Sequence, residues 1–376
     1  MIVSSLKELE HGELRVAITP EICKKYIKLG FSVLIEKDAG VNSNFSNKAY
    51  LEAGALLVED KFEIIRKTDV LLSVTSIPDK EVLNMSKKKL IIIGTFNNKK
   101  NINLLKSLEL KEFSIISLDL LPRISRAQSM DVLSSQANLA GYKAVILACN
   151  LYKKAFPMMM TAAGTIIPAK CLVLGAGVAG LQAIATAKRL GCVVSAFDVR
   201  PEVEDQVKSL GAKFIKVDDS EIEENMVYAK EMSEEYKNKQ KQKIHDSAKD
   251  MDIIITTAVI PGKKAPILLE NKTLKSMKMG SVIIDMAGES GGNTQGAVFG
   301  KEIEVEKVII SSPTNLPSLV SIDASSLYAK NVLSFVSSFI NEEKKINIKS
   351  DDELLTKSII VKDGVKTLNL KDSKYV

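Results

Sequence analysis

Residues 170–200 read KCLVLGAGVAGLQAIATAKRLGCVVSAFDVR. The segment opens on a short apolar run rich in strand formers, Lys170–Leu174, which leads into Gly175-Ala-Gly177-Val-Ala-Gly180. From Val178 the pattern turns helical until Leu190-Gly191, and a second apolar run ends in Asp198. Strand, glycine turn, helix, strand and terminal acid together form the dinucleotide-binding fingerprint in the context it needs. Each glycine has a distinct physical role. Gly175 permits a tight turn, Gly177 lets backbone approach a pyrophosphate, and Gly180 lets the helix pack closely on the sheet. The helix start supplies N–H groups and partial positive charge for phosphates. Asp198 follows at about the 20-residue spacing expected of a ribose-binding carboxylate. Its charge would repel a 2′-phosphate, so the pattern points to NAD over NADP, with Arg200 as the only counter-sign. A glycine-rich packing turn is the alternative reading.

At 376 residues the chain is long enough for two domains with their own cores. A hydrophobic fraction of 45% and a charged fraction of 26% are those of an ordinary globular protein. The net charge of +6 comes from lysines spread along the chain, with no basic–aromatic patch, so nucleic acid is not an expected partner. Cys23, Cys149, Cys171 and Cys192 have neither metal nor redox spacing and read as reduced thiols of a cytosolic protein; no metal site is expected. The start, MIVSSLKELEHGE, does not read as a signal peptide. Residues 155–169 and 171–187 carry no charge and could be mistaken for membrane spans. Pro157, Pro168 and the glycines argue instead for a buried strand and its crossover helix, so no transmembrane helix is expected.

Outward from the fingerprint, residues 1–120 read as a first α/β unit. Strands are expected at 15–19, 32–35, 70–74, 90–93 and 114–118, with a helix opened by Thr19-Pro20 and closed by Gly30. This unit has no glycine fingerprint, so its sheet is not expected to hold a dinucleotide alone. Residues 121–136, LPRISRAQSMDVLSSQ, crowd two arginines, a glutamine and an aspartate ahead of a long helical segment, Val132–Leu151. A polar loop reaching a ligand cleft and a plain helix-capping region fit that composition equally. In the second domain further strands are expected at 213–217, 252–257, 281–285 and 308–311. Residues 218–249 are almost wholly polar, either a solvated helix or a mobile flap that closes over ligand. The strand-end loops all fall on the carboxyl edge, where such sheets bind ligands. The fold class is α/β: two Rossmann-like doubly wound parallel-sheet domains with a cleft between them, residues 1–135 plus 326–376 and residues 136–325.

PRISRAQSMDVLSSQANLAGYKAVI (residues 122–146) and FPMMMTAAGTIIPAKCLVLGAGVAGLQAIATAKRLG (156–191) closely resemble the NAD-binding component of proton-translocating nicotinamide nucleotide transhydrogenases. TTAVIPGKKAP (256–266) and TNLPSLVSIDASSLYAKN (314–331) resemble the same family, so the resemblance covers nearly the whole chain. Leu319 and TQGAVFG (294–300) depart from its pattern, outside the binding motifs. The related alanine dehydrogenases share the fold, the Arg15-Val-Ala opening and the fingerprint. Their substrate lysine belongs within residues 72–78, here LSVTSIP, and their catalytic histidine near 95–98, here TFNN; the chain has only His11 and His245.

Those absences have a chemical meaning. Oxidising an amino acid needs a base, whereas passing hydride between two nicotinamides needs only two rings held face to face without water. The resemblance implies that NAD(H) binds here, that a partner subunit carries NADP(H), and that membrane-spanning subunits hold the proton path. It implies a homodimer on the cytoplasmic face of the inner membrane. Arg123, Gln128 and Asp131 are implied at the nicotinamide end, with Ser134 and Tyr142 near it and Tyr228 in the flap. Ile124, Ser125, Arg126, Ser129, Met130, Val178, Val199, Arg200 and Val259 complete the implied cofactor contacts beside Gly175, Gly177, Gly180 and Asp198. An amino-acid dehydrogenase of the alanine dehydrogenase type and a non-catalytic NAD-binding regulator are the competing readings.

Overall fold

In the computed structural model, residues 1–86, 89–107, 112–217, 234–260, 263–348 and 351–367 are described. The chain forms two compact units, Met1–Gln136 with Pro317–Val376, and Ala137–Leu316. The return to the first unit comes at Pro317, ahead of the expected residue 326. The reason is that Ser318 bonds to Glu13 and to the Leu14 N–H, and Ser325 accepts from the Val16 N–H.

The first unit opens with β1 (Ile2–Ser5), β2 (Ser32–Glu36), β3 (Leu56–Val58), β4 (Val70–Leu72), β5 (Leu90–Gly94) and β6 (Phe113–Ser117). These pair in parallel in the order β3-β2-β1-β4-β5-β6. The second unit contains a separate hairpin, β7 (Met159–Thr161) and β8 (Gly164–Ile166). Its main sheet is built from β9 (Lys170–Leu174), β10 (Val193–Phe197), β11 (Lys213–Phe214), β12 (Ile253–Thr256), β13 (Val282–Asp285), β14 (Glu302–Val305) and β15 (Val308–Ser311). The order is β11-β10-β9-β12-β13-β15-β14, parallel except for β14. Back in the first unit, β16 (Ile359–Lys362) pairs antiparallel with β6, and β17 (Val365–Lys366) with β16.

Both sheets are doubly wound. Each runs outward from its first strand to one edge, then returns past it to build the other, so each reverses beside that strand: β1/β4 in one unit, β9/β12 in the other. Side chains alternate between two buried faces. In the first unit Val33, Ile35, Val70 and Leu72 join one core, while Leu34, Leu71, Ile92 and Ile115 join another. In the second, Cys171, Val173, Ile253 and Ile255 oppose Leu172, Leu174 and Ile254. Burial on both faces is why the strands read as unbroken apolar runs.

Several expectations from the sequence are corrected. Residues 15–19 are not a strand. Val16, Ala17 and Ile18 are buried, but side chains such as Ser325 satisfy their backbone; the first strand is Ile2–Ser5 instead. β3, β14 and the hairpin were not anticipated, and β11 stops at Phe214. Two starts follow their signals. The helix Pro20–Lys28 is capped by Thr19, and the 20-residue helix Val132–Leu151 has its expected bounds. Cys171 and Cys192 carry free, buried thiols, and burial pushes Cys192 up to about 12. Among the described residues no helix is long and apolar enough to cross a membrane, and no group of His, Cys, Asp or Glu side chains could hold a metal ion.

Candidate nucleotide site

The glycine turn lies at the carboxyl end of β9, at the point where the second sheet reverses. Its three glycines meet three different surroundings. Gly175 has φ +99, a left-handed conformation that side chains resist. Gly180 touches the turn itself: a Cβ there would lie 1.8 Å from the Gly175 carbonyl oxygen. Gly177 faces open space, with only an Arg200 nitrogen 3.9 Å from where its Cβ would be. It also starts the helix Val178–Arg189, where no side chain caps the first N–H groups. An open glycine face beside uncapped N–H groups fits a pyrophosphate.

Asp198 directly follows β10 beside this turn, and its carboxylate is engaged from two sides. The Ala176 N–H donates to Oδ2 at 2.6 Å, and Arg200 donates through its backbone N–H, Nε and Nη2, each at 2.9 Å. Burial alone would raise the carboxyl. The Arg200 and Ala176 bonds outweigh burial and hold Asp198 below the ordinary aspartate value. A ribose diol can reach this carboxylate only in place of the Arg200 guanidinium, which is half exposed and so able to turn away. The acid and the counter-sign two residues on are therefore one hydrogen-bonded pair.

The adjoining wall comes from β12. Thr257 donates its hydroxyl to the Gly175 carbonyl, and the next residues are held by Asn293, which is fully buried. The Asn293 side chain accepts from the Ala258 N–H at 3.1 Å and donates to the Ala258 and Pro266 carbonyls, both at 2.8 Å. Val178, Val199 and Val259 follow three neighbouring strands and are 42%, 43% and 55% exposed, apolar surface beside the glycine turn. Thr257 and Asn293 escaped the sequence reading. The one signal for Asn293 was the Gly291-Gly292 pair before it, both at positive φ. Tyr142 is exposed on the long helix beside Gly141, which packs against the Ala179 carbonyl. Tyr228 lies outside the described residues. His245 bonds through Nδ1 to the Thr273 hydroxyl.

In the first unit the polar loop is a 3-10 turn, Ser125–Met130, running into the long helix. Arg123, Ser125, Arg126, Gln128 and Ser129 are exposed. Met130 is buried in the core beside Ala127, leaving only its backbone to a ligand, and the half-buried Ile124 packs against that core. Arg126 pairs with Asp352. Asp131 caps the helix, accepting from the Ser134 N–H at 2.9 Å and its hydroxyl at 2.5 Å. Asp131 is thus the member of the loop that caps the helix, while Arg123 and Gln128 are exposed.

The first unit's own reversal point is occupied by the chain. Glu8, after β1, accepts from the N–H groups of Val74, Thr75 and Ser76, after β4. Burial keeps its carboxyl above the ordinary glutamate value, against the pull of those donors. Nearby, Arg15 is buried against Glu13 through Nε at 2.7 Å and Nη2 at 2.6 Å, and also donates to Gln136. Burial would raise Glu13, but the guanidinium and Ser318 hold it below its usual value. Glu8, Glu13 and Arg15, with Lys7 and Asp38, line a cavity of about 240 Å³.

Two family models match the chain: the alanine dehydrogenase/PNT N-terminal domain over residues 5–140 and its C-terminal domain over residues 144–369. The first of the split alpha-subunit chains of NAD(P) transhydrogenase in Rhodospirillum rubrum is 44% identical over 97% of both chains. This chain belongs to the NAD(P) transhydrogenase alpha-subunit family. Another member, subunit alpha of Haemophilus influenzae, is 41% identical over 97% of this chain and 71% of its own length. The transhydrogenase structure from Sinorhizobium meliloti superposes with a TM-score of 0.85 at 40% identity, covering 98% of this chain and 99% of that one. An L-alanine dehydrogenase structure shares the fold, with a TM-score of 0.81 at 22% identity, covering 98% of this chain and 97% of that one.

Proposed function

We propose that this chain is the NAD(H)-binding component of a proton-translocating transhydrogenase, passing hydride from NADH to NADP+ held by a partner subunit. The observation that carries the reading is the open Gly177 face beside the uncapped helix start and the strand-end carboxylate of Asp198. The turn's N–H groups would hold the pyrophosphate. Asp198, released by Arg200, would hold the adenosine ribose, and Val178, Val199 and Val259 would cover apolar faces. At the nicotinamide end we assign Arg123, Gln128, Asp131, Ser134 and Tyr142, with backbone from residues 124–130.

The first unit supports a reaction without acid–base chemistry. Residues 72–78 supply N–H groups to Glu8 where an alanine dehydrogenase needs a lysine, and Arg15 is neutralised internally by Glu13. Hydride carries both electrons and the proton from one nicotinamide ring to the other, so what the chain must supply is orientation and exclusion of water. The proton path belongs to membrane-spanning partners, which would hold the chain on the cytoplasmic face of the inner membrane.

We also propose a homodimer. Among the described residues no further strand pairs with the β7–β8 hairpin, and Met160 and Ile167 on and beside it are 79% and 69% exposed. A lone two-stranded hairpin is marginal in water, and an exposed apolar patch of this kind marks an interface.

The test is a single-turnover mixing experiment. The NADH-loaded chain, combined with its NADP-binding partner, should transfer hydride at a rate nearly constant between about pH 6 and 8, because no group titrating there takes part. Oxidation of alanine by the chain alone would overturn the reading in favour of the dehydrogenase.

A further inference from the structure

The turn that carries Gln128 is fastened by a residue far along the chain from it. We propose that Asn331, on the helix Ser321–Ser338, is the positioning residue that fixes Gln128 and Asp131 relative to the start of the long helix. Its side chain is 9% exposed and uses both ends of its amide. Nδ2 donates to the Ser129 carbonyl at 2.8 Å, and Oδ1 accepts from the Ser135 hydroxyl at 2.7 Å. Ser129 follows Gln128, and Ser135 lies in the first turn of the helix that Asp131 caps. One planar amide therefore bridges the two sides of Asp131.

The chemistry calls for an amide. The Ser129 side needs a donor and the Ser135 side an acceptor; aspartate offers only acceptors, and an aliphatic residue offers neither. Other restraints on the turn do not replace it. Ala127 and Met130 anchor the inner side, but apolar pegs are non-directional and leave rotation about them open. The Arg126–Asp352 pair is largely solvated on the arginine side and contributes little. On the helix side the bridge is reinforced: Gln136 donates to the Ser135 hydroxyl and to the Ala324 carbonyl, and accepts from Arg15. Loss of the Asn331 donor thus frees the turn while the helix stays fixed.

This inference rests on the reading above, in which the Gln128 turn meets the nicotinamide. There a displacement on the order of 1 Å can cost about a hundredfold in rate.

The experiment uses the full chain with its NADP-binding partner. Asn331→Asp keeps the acceptor for Ser135 and removes the donor to Ser129; Gln128→Asn serves as the reference. Asn331→Asp should slow the single-turnover hydride step at least roughly tenfold, leave the NADH dissociation constant within about twofold, and speed tryptic cleavage after Arg126. Should the buried carboxylate prevent folding, Asn331→Ala, which adds no charge, carries the same comparison. An unchanged hydride rate beside a slowed Gln128→Asn overturns the role of Asn331 and leaves the functional reading intact. A parallel loss of NADH affinity marks a general structural defect and also overturns it. If Gln128→Asn itself reacts at the parent rate, the placement of the turn at the nicotinamide fails; faster cleavage after Arg126 in Asn331→Asp would still uphold Asn331 as its fastener.

Discussion

Replace Gly180 by alanine and the new Cβ lies 1.8 Å from the Gly175 carbonyl oxygen and 2.9 Å from its carbon. The turn or the helix must retreat by more than about 1 Å, and both belong to a close-packed core that resists such movement. Overpacking of this kind costs roughly 1–3 kcal/mol, a fall of roughly 2–12 °C in melting temperature for a unit of this size. Gly177→Ala is the opposite case. Its φ of −73 suits any residue, and its Cβ meets only an arginine nitrogen at 3.9 Å. Stability should change by less than about 1 kcal/mol, the helix-cap preference for glycine being offset by lower unfolded-state entropy. NADH binding should suffer instead, because the methyl group stands where phosphate approaches backbone. Each hydrogen bond to a charged group is worth about 1.5–3 kcal/mol, so affinity should fall roughly tenfold to a hundredfold. Circular-dichroism melts and titrations on NADH emission, undisturbed because the chain has no tryptophan, separate the two effects. Parent-like NADH affinity in Gly177→Ala would refute the pyrophosphate placement. A parent-like melt in Gly180→Ala would refute the packing argument.

Three further outcomes are expected. Asp198→Ser should narrow the preference for NADH over NADPH by roughly tenfold, the worth of one charged hydrogen bond; equal affinities in the unmodified chain, by calorimetry, would sink the ribose assignment. Glu13→Gln strands the buried Arg15 charge and should cost about 3–5 kcal/mol at neutral pH. Because Glu13 is held below its usual value in the folded chain, its contribution is full above the unfolded value and lost as pH falls through the folded one. The deficit of the variant in denaturant melts should therefore shrink in acid, and one unchanged with pH would show that the pair is not ionic. Met160→Glu combined with Ile167→Glu should sediment as a monomer; a persisting dimer would place the contact elsewhere.

How much of this was legible in the sequence depended on whether the signal was local. The β9–β10 segment, the Thr19 cap and the Val132–Leu151 helix are encoded by adjacent residues, and the glycines could be given separate geometric roles from spacing alone. Residues 15–19 misled because a short apolar run serves equally as a strand or as irregular core, and only the distant Ser325 reveals that side chains complete its backbone. Asp131 shows the same limit: a polar cluster does not say which members cap a helix and which face outward. The pairing of Asp198 with Arg200 was visible as opposite charges two residues apart. That the guanidinium sits on the very oxygens a ribose would use is a matter of rotamer, which no pattern records. Asn293, Asn331 and Glu8 act across long separations; a glycine pair precedes Asn293 and a family motif ends on Asn331, but neither names the partner each would hold.

The interrupted first unit sets an order on biosynthesis. A ribosome releasing the chain delivers β1 to β6 first, then the whole of the contiguous second unit, and only afterwards the strand that pairs with β6. Through that interval β6 is an unpaired edge, buried on both faces in the finished sheet, and such edges recruit other strands. The second unit, continuous in sequence, can fold as soon as it emerges. A stalled or truncated chain ending before residue 359 should therefore leave a nucleotide-binding unit intact beside an adhesive, unfinished neighbour.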